Sequence, residues 1–217
     1  MNSEKTKIFI FDFDGTLVDS MPTFTSVMLR ILDERGIKYG GDIVKIITPL
    51  GYGGTAKYYC ETFGVKESPD ELIAIMNSYA ALEYEMNVPI KPFVKDTLAE
   101  LKRRGASLNV LTASPHAALD PCLKRLGLFE LFDNVWSSDD FPSTKADPET
   151  YRLAAKRLGC EASDITFVDD NINAVRTAKA AGVCSIGIYD PSGEDFIGEM
   201  KKDADRYVYN FEELLYV

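Results

Sequence analysis

At 217 residues, 46% hydrophobic and 27% charged, the chain has the composition of a folded globular protein, long enough for one sizeable core or for a core carrying a smaller insert. Its net charge of -10 argues against nucleic acid or an anionic membrane as partner, because binding a polyanion draws on a basic surface. For the same reason a phosphate site here would need a bound cation. The polar start MNSEKTK leads into an apolar stretch of a few residues that Asp12 interrupts, too short for a signal-peptide core or a membrane span, so a cytoplasmic protein is expected.

That stretch, Ile8 to Phe11, is the first of four apolar runs that read as strands buried on both faces; the others are Leu108 to Leu111, Ile165 to Val168 and Val183 to Ile188. Residues 18–88 differ, with helical periodicity and no strand pattern. Within them Ser68, Pro69 and Glu71 form a capping-box signature ahead of a long amphipathic helix. A further helix is expected from Phe93 to Arg104, stopped by Gly105. Asp147 and Pro148 open another that ends at Gly159, and Asn171 to Ala181 followed by Gly182 repeats the pattern. Strands alternating with helices imply a doubly wound α/β parallel sheet formed by residues 1–17 and 89–217, with an α-helical insert at 18–88. The four cysteines, Cys60, Cys122, Cys160 and Cys184, are scattered without a CxxC and read as reduced, mostly buried thiols.

Ligands in open α/β sheets sit beyond the carboxyl ends of the strands. Asp12, Asp14 and Thr16 follow the first run; Thr112, Ala113 and Ser114 the second; Asp169 and Asp170 the third. The fourth ends in Tyr189 and Asp190, which the pattern leaves without a role. Lys145 lies in the loop before the helix that precedes the third run. If the strands are parallel, these groups converge, and crowded carboxylates stay ionised only beside a compensating charge. Hard oxygen ligands with room for water and phosphate oxygens suit Mg²⁺ better than zinc or iron.

With "DFDGTLVDS" at 12 to 20, Thr112 in "LTAS", Lys145 ahead of "DPETY" and "VDDN" at 168 to 171, the sequence resembles the haloacid dehalogenase (HAD) superfamily over nearly its whole length, specifically the phosphoglycolate phosphatase-like branch with a helical cap inserted after the first motif. The resemblance implies a phosphatase of a small phosphorylated metabolite, with Asp12 as nucleophile forming an aspartyl-phosphate and Asp14 as acid and then base. It implies Mg²⁺ held by Asp12, the main-chain carbonyl of Asp14 and Asp170, with Asp169 behind them, and Thr112 and Lys145 on the phosphoryl oxygens. Ala146, where many relatives have proline, and Asn171, where serine or threonine is common, remove no charge. "GYGG" at 51 to 54 is expected as a specificity loop, and His116 in a first helical turn near the site, on the surface.

Simpler readings exist for each piece: a solvated turn for Asp12 and Asp14, a helix N-terminal pair for Asp169 and Asp170, an exposed loop lysine for Lys145. A sugar phosphomutase of the same family is the alternative enzyme. It would carry a histidine after the first motif and a cap arginine; "SMPTF" and "GYGGT" have neither, which leaves Lys45 or Lys57 for the cationic role. A non-enzymatic receiver-type phosphoacceptor would be shorter, place its acidic pair before the phosphoacceptor and lack the insert. "GYGGTAK" does not fit a P-loop. Oligomeric state and substrate identity are not legible in these residues.

Overall fold

The computed structural model describes residues 6–217, so the first five residues of the polar start lie outside it. Contacts divide the chain into two compact units, one ending at Asp19 and resuming over Pro89–Val217, the other Ser20–Val88.

The first unit is built on six strands, β1 (Ile8–Phe11), β2 (Ser107–Thr112), β3 (Asn134–Ser137), β4 (Ile165–Asp169), β5 (Cys184–Ile188) and β6 (Arg206–Val208). Every neighbouring pair is parallel, in the order β3-β2-β1-β4-β5-β6. Side chains alternate across the sheet. Ile10 joins Tyr151, Ala154, Phe167 and Ala178 in the core on one face, whereas Phe9 and Phe11 stack with each other, and Phe11 meets Phe132 and Phe211 on the other. Both faces are thus dry, which is why these strands are continuous apolar runs. Gly187 in β5 is needed for space: a Cβ there would lie 2.5 Å from Met200 and 3.1 Å from Tyr207.

The two edge strands, β3 and β6, were not foreseen. "NVWS" and "RYV" are too short, and too polar at their ends, to stand out as apolar runs, which is how sheet edges avoid pairing with other chains. The four expected strands are observed with ends moved by one residue or so: β2 gains Ser107 and Thr112, β4 gains Asp169, and β5 starts at Cys184 rather than Val183.

Among the described residues, five α-helices belong to this unit: Val94–Arg103, His116–Leu126, Pro148–Leu158, Ile172–Ala180 and Ile197–Asp203. The third is capped by Asp147, whose side chain accepts the Glu149 N–H at 2.9 Å, and stopped by Gly159 at φ 69°. The fourth is capped by Asn171, accepting from the Asn173 N–H at 2.9 Å, so this departure from the common residue retains the capping oxygen. The first begins one residue later than expected, because Phe93 adopts φ 66°, the left-handed region that bulky residues seldom enter.

The second unit holds four helices, Met21–Glu34, Ile43–Ile47, Gly51–Phe63 and Pro69–Met86. They bury Ile31, Leu32, Tyr59, Leu72 and Met76, and Tyr59 donates to the Met28 carbonyl at 3.1 Å. The capping box is present: Ser68 Oγ accepts the Glu71 N–H at 3.3 Å and Glu71 Oε2 accepts the Ser68 N–H at 2.8 Å. "GYGG" is not a loop. Gly51 to Gly54 form the first turn of a helix that continues to Phe63; of these glycines only Gly51 takes a positive φ, and the helix forms despite the low helix propensity of Gly53 and Gly54.

Among the described residues no helix is long and apolar enough to cross a membrane. The cysteines are free thiols, but only Cys122 is buried; Cys60 and Cys160 are half-buried, and Cys184 at the start of β5 is exposed.

Candidate active site

The strand order 3-2-1-4-5-6 reverses direction between β1 and β4, and the crevice beyond the carboxyl ends of those two strands is where open α/β sheets bind ligands. Asp12 and Asp14 follow β1 there; Asp169 ends β4, and Asp170 follows it. Asp12 is 5% exposed and held by its own N–H, which donates to Val168 C=O at 2.9 Å. Gly15 turns the chain sharply at φ 74°, so that Gly15 N–H meets Val18 C=O at 3.0 Å and Thr16 returns toward β4.

Carboxylate oxygens of Asp12, Asp169 and Asp170 lie within 4.8 Å of one another. Lys145 reaches into this group from its loop, its Nζ donating to Asp12 Oδ1 and, at 2.8 Å, to Asp169 Oδ2. The other Asp169 oxygen accepts the Asn171 N–H at 2.7 Å. Thr16 Oγ1 donates to Asp170 Oδ1 at 2.9 Å and accepts the Asp170 N–H at 3.2 Å. Lys145 is itself positioned from the core, because Tyr151 donates its hydroxyl to the Lys145 carbonyl at 3.1 Å.

Asp14 stands apart from the three clustered carboxylates; its Oδ2 accepts from Ser114 Oγ at 2.5 Å. Ser114 in turn donates its N–H to Thr112 Oγ1 at 3.0 Å, which puts the end of β2 beside the β1 turn. Thr112 is buried. Every residue singled out for the site therefore lies at this crevice, and Lys145 is no exposed loop lysine.

The electrostatics follow from burial. Burial, followed by the Asp169 charge, raises the Asp12 carboxyl well above the usual range despite Lys145 alongside. Burial, Asp169 and Asp190 push Asp170 up to about 7, against the Thr16 hydrogen bond and the charge of Lys91. Burial alone would lower the Lys145 ammonium, but Asp12 and Asp169 outweigh it and hold its pKa raised. Lys145, with Lys91 already paired to Asp190, cannot balance this many acids in a low-dielectric pocket.

Two groups were missed or left without a role. Lys91 Nζ donates to Gly15 C=O at 2.5 Å, Tyr189 C=O at 2.9 Å and Asp190 Oδ2 at 3.0 Å. Asp190 offered a signal, an acid at the end of a buried run. Lys91, in an irregular segment, offered none. His116 opens its helix as expected, half-exposed, between Asp120 Oδ1 at 2.9 Å and Asp140 Oδ2 at 2.8 Å.

A sequence model described as a haloacid dehalogenase-like hydrolase matches residues 6–182. The chain belongs to the haloacid dehalogenase-like hydrolases. This hydrolase is 32% identical over 192 residues to pyrophosphatase PpaX of Bacillus velezensis, spanning 87% of this chain and 85% of that protein. It is 30% identical over 186 residues to phosphoglycolate phosphatase 1 of Pseudomonas aeruginosa, spanning 82% and 67%. The fold is shared with the crystal structure of a HAD family hydrolase from Deinococcus radiodurans with bound phosphate and sodium, at TM-score 0.75 and 21% identity over 96% of this chain and 93% of that one. The doubly wound sheet with its helical insert is thus a fold shared with solved haloacid dehalogenase-like hydrolases, and the curated relatives include a pyrophosphatase as well as phosphoglycolate phosphatases.

Proposed function

We propose that this hydrolase is a Mg²⁺-dependent phosphatase of a small phosphorylated metabolite, working through an aspartyl-phosphate on Asp12. The observation that carries the reading is the buried Asp12 carboxylate at the sheet's switch point, bonded to Lys145 and crowded by Asp169 and Asp170. The pyrophosphatase and phosphoglycolate phosphatase relatives, and the phosphate held by the Deinococcus structure, favour a small phosphorylated substrate.

The donor set fits a hard divalent cation: clustered carboxylate oxygens, with more negative charge than Lys145 balances. Asp12, Asp170 and the main-chain carbonyl of Asp14 would hold Mg²⁺, which when bound offsets the charge of the phosphoryl oxygens and of the approaching carboxylate. Both oxygens of Asp169 are already engaged, so its part is to orient Lys145 and the start of the following helix.

Lys145 and Thr112 bind and orient the phosphoryl oxygens. An oxygen of Asp12 forms a bond to phosphorus as the bond from phosphorus to the ester oxygen breaks, and Asp14 gives its proton to that departing oxygen. Asp14, then a carboxylate, takes a proton from water. The water oxygen bonds to phosphorus, the bond to Asp12 breaks, and inorganic phosphate leaves with the Asp12 carboxylate restored. Ser114 fixes Asp14 for both transfers through its short hydrogen bond.

The test is phosphate release from p-nitrophenyl phosphate and a panel of phosphorylated metabolites with Mg²⁺. Wild type turns over, and Asp12→Asn loses about a thousandfold or more of kcat. Inactivity of wild type across the panel refutes the reading; a sugar bisphosphate as a kinetically competent intermediate would move it to phosphomutase.

A further inference from the structure

The acidic turn after β1 is held from two sides. On one side Asp170 exchanges hydrogen bonds with Thr16, and a Cβ on Gly15 would meet the Asp170 carboxylate. On the other side Lys91 donates to the Gly15 carbonyl. Lys91 is not part of the turn's own elements. It lies in the segment returning to the sheet unit, where Lys91 N–H donates to Leu17 C=O at 3.0 Å, Asp19 N–H donates to Pro89 C=O at 2.9 Å and Val18 bridges Ile90.

Asp190 completes the arrangement from the end of β5. Its side chain is 1% exposed, with Oδ2 on Lys91 Nζ and Oδ1 accepting from Ser192 N–H at 2.9 Å and from Ser192 Oγ. An ammonium has three donors and no acceptor, and here all three go to named oxygens. Beside Lys91 lies a cavity of about 360 Å³, lined in part by Ile90, Phe93, Tyr189 and Tyr209. The mostly buried side chain is thus held on the Gly15 carbonyl with its other two acceptors alongside, next to this open space.

From this we infer that Lys91 and Asp190 act together as positioning residues that clamp the Asp14–Gly15–Thr16 turn against Asp170 and thereby set the geometry of the cation site. The inference rests on the reading of Asp12, Asp14 and Asp170 as the Mg²⁺ site. Neither residue touches the reacting atoms. Losing the Lys91 ammonium frees the Gly15 carbonyl to rotate, carrying the adjacent Asp14 carbonyl with it; losing the Asp190 charge lets Lys91 swing into the cavity.

The experiment is calorimetric titration with Mg²⁺ alone on wild type, Lys91→Met, Asp190→Asn and the double variant, alongside melting curves and kcat with p-nitrophenyl phosphate. Lys91→Met keeps the alkyl stem and is expected to bind Mg²⁺ about 10- to 100-fold more weakly, the range for groups that orient metal ligands. Asp190→Asn is expected to weaken it by a smaller factor, and the double variant to be no worse than Lys91→Met, as residues acting as one unit are non-additive. Cooperatively folded Lys91→Met with Mg²⁺ affinity within twofold of wild type overturns the clamp while leaving the phosphatase reading intact. Should Lys91→Met fail to fold, Asp190→Asn decides, and unchanged affinity there overturns it equally. Wild type that neither binds Mg²⁺ nor turns over removes the underlying reading and the clamp with it.

Discussion

Gly15 shows how little freedom the site leaves a single residue. Its φ of 74° belongs to the region where an L side chain is strained, and a Cβ would come within 2.7 Å of the Asp170 carboxylate carbon. Gly15→Ala is accordingly expected to lower stability by about 1 to 2 kcal/mol from backbone strain alone and to weaken Mg²⁺ binding by displacing Asp170. Melting and calorimetric titration read the two effects separately, and an alanine variant that matches wild type in both would contradict the packing described. His116 makes a different residue-level prediction. Hydrogen bonds from the ring to Asp120 and Asp140 raise its pKa above 6.5. The stability it contributes is therefore complete below pH 6.5 and fades as pH climbs through the raised folded value. The stability difference between wild type and His116→Gln, followed by urea melts from pH 5.5 to 8.5, should shrink in that direction; a constant difference would disprove the pairing.

At the scale of elements, the legible parts were those whose local chemistry decides the structure unaided. Ser68 with Glu71, Asp147 with Pro148, and Asn171 each cap the helix expected of them, because a capping oxygen within two or three residues needs no distant partner. The reading failed where a neighbour decides. "GYGG" is helical, and β3 and β6 exist only because β2 and β5 offer them a ladder. Phe93 is the clearest departure from local rule. It holds a left-handed conformation at a helix N-terminus while its side chain is half-exposed, so little burial offsets the strain. Relieving about 1 to 2 kcal/mol of strain against about 0.5 to 1 kcal/mol of extra glycine entropy, Phe93→Gly is expected to stabilise the protein by up to ~1.5 kcal/mol. A drop in melting temperature would show that the ring is held by more than its exposure indicates.

Across the whole molecule, the site was legible to the extent that strand ends in a parallel sheet share one edge. Asp12, Asp169 and Asp170, with Lys145 in the loop before the intervening helix, could be drawn together from topology, whereas Thr112 leaned on the other motifs. Lys91 could not, because its three acceptors come from Gly15, Tyr189 and Asp190, which no periodicity links. Closely packed acids on a chain of net charge -10 have a thermodynamic consequence as well. A ligand that binds only the folded state stabilises it by about 2.7 kcal/mol at a hundredfold excess over Kd, so Mg²⁺ should raise the melting temperature by about 5 to 10 °C for a chain of this size. Chelation should reverse the shift, and Asp170→Asn should remove most of it. A melting temperature indifferent to Mg²⁺ would mean the acids are balanced in some other way.

The central strand has one more implication, for the birth of the protein. Ile8 pairs with Ser107 on one side and Ile165 on the other, so β1 leaves the ribosome long before either neighbour has been made. Until β4 is translated, the most apolar strand of the sheet has an open flank, and Asp12 lacks Asp169 and Asp170, the two carboxylates that cluster with it in the fold. Such non-local pairing is slow to form and vulnerable to self-association. A nascent chain thus lacks the complete carboxylate cluster until translation has passed Asp170.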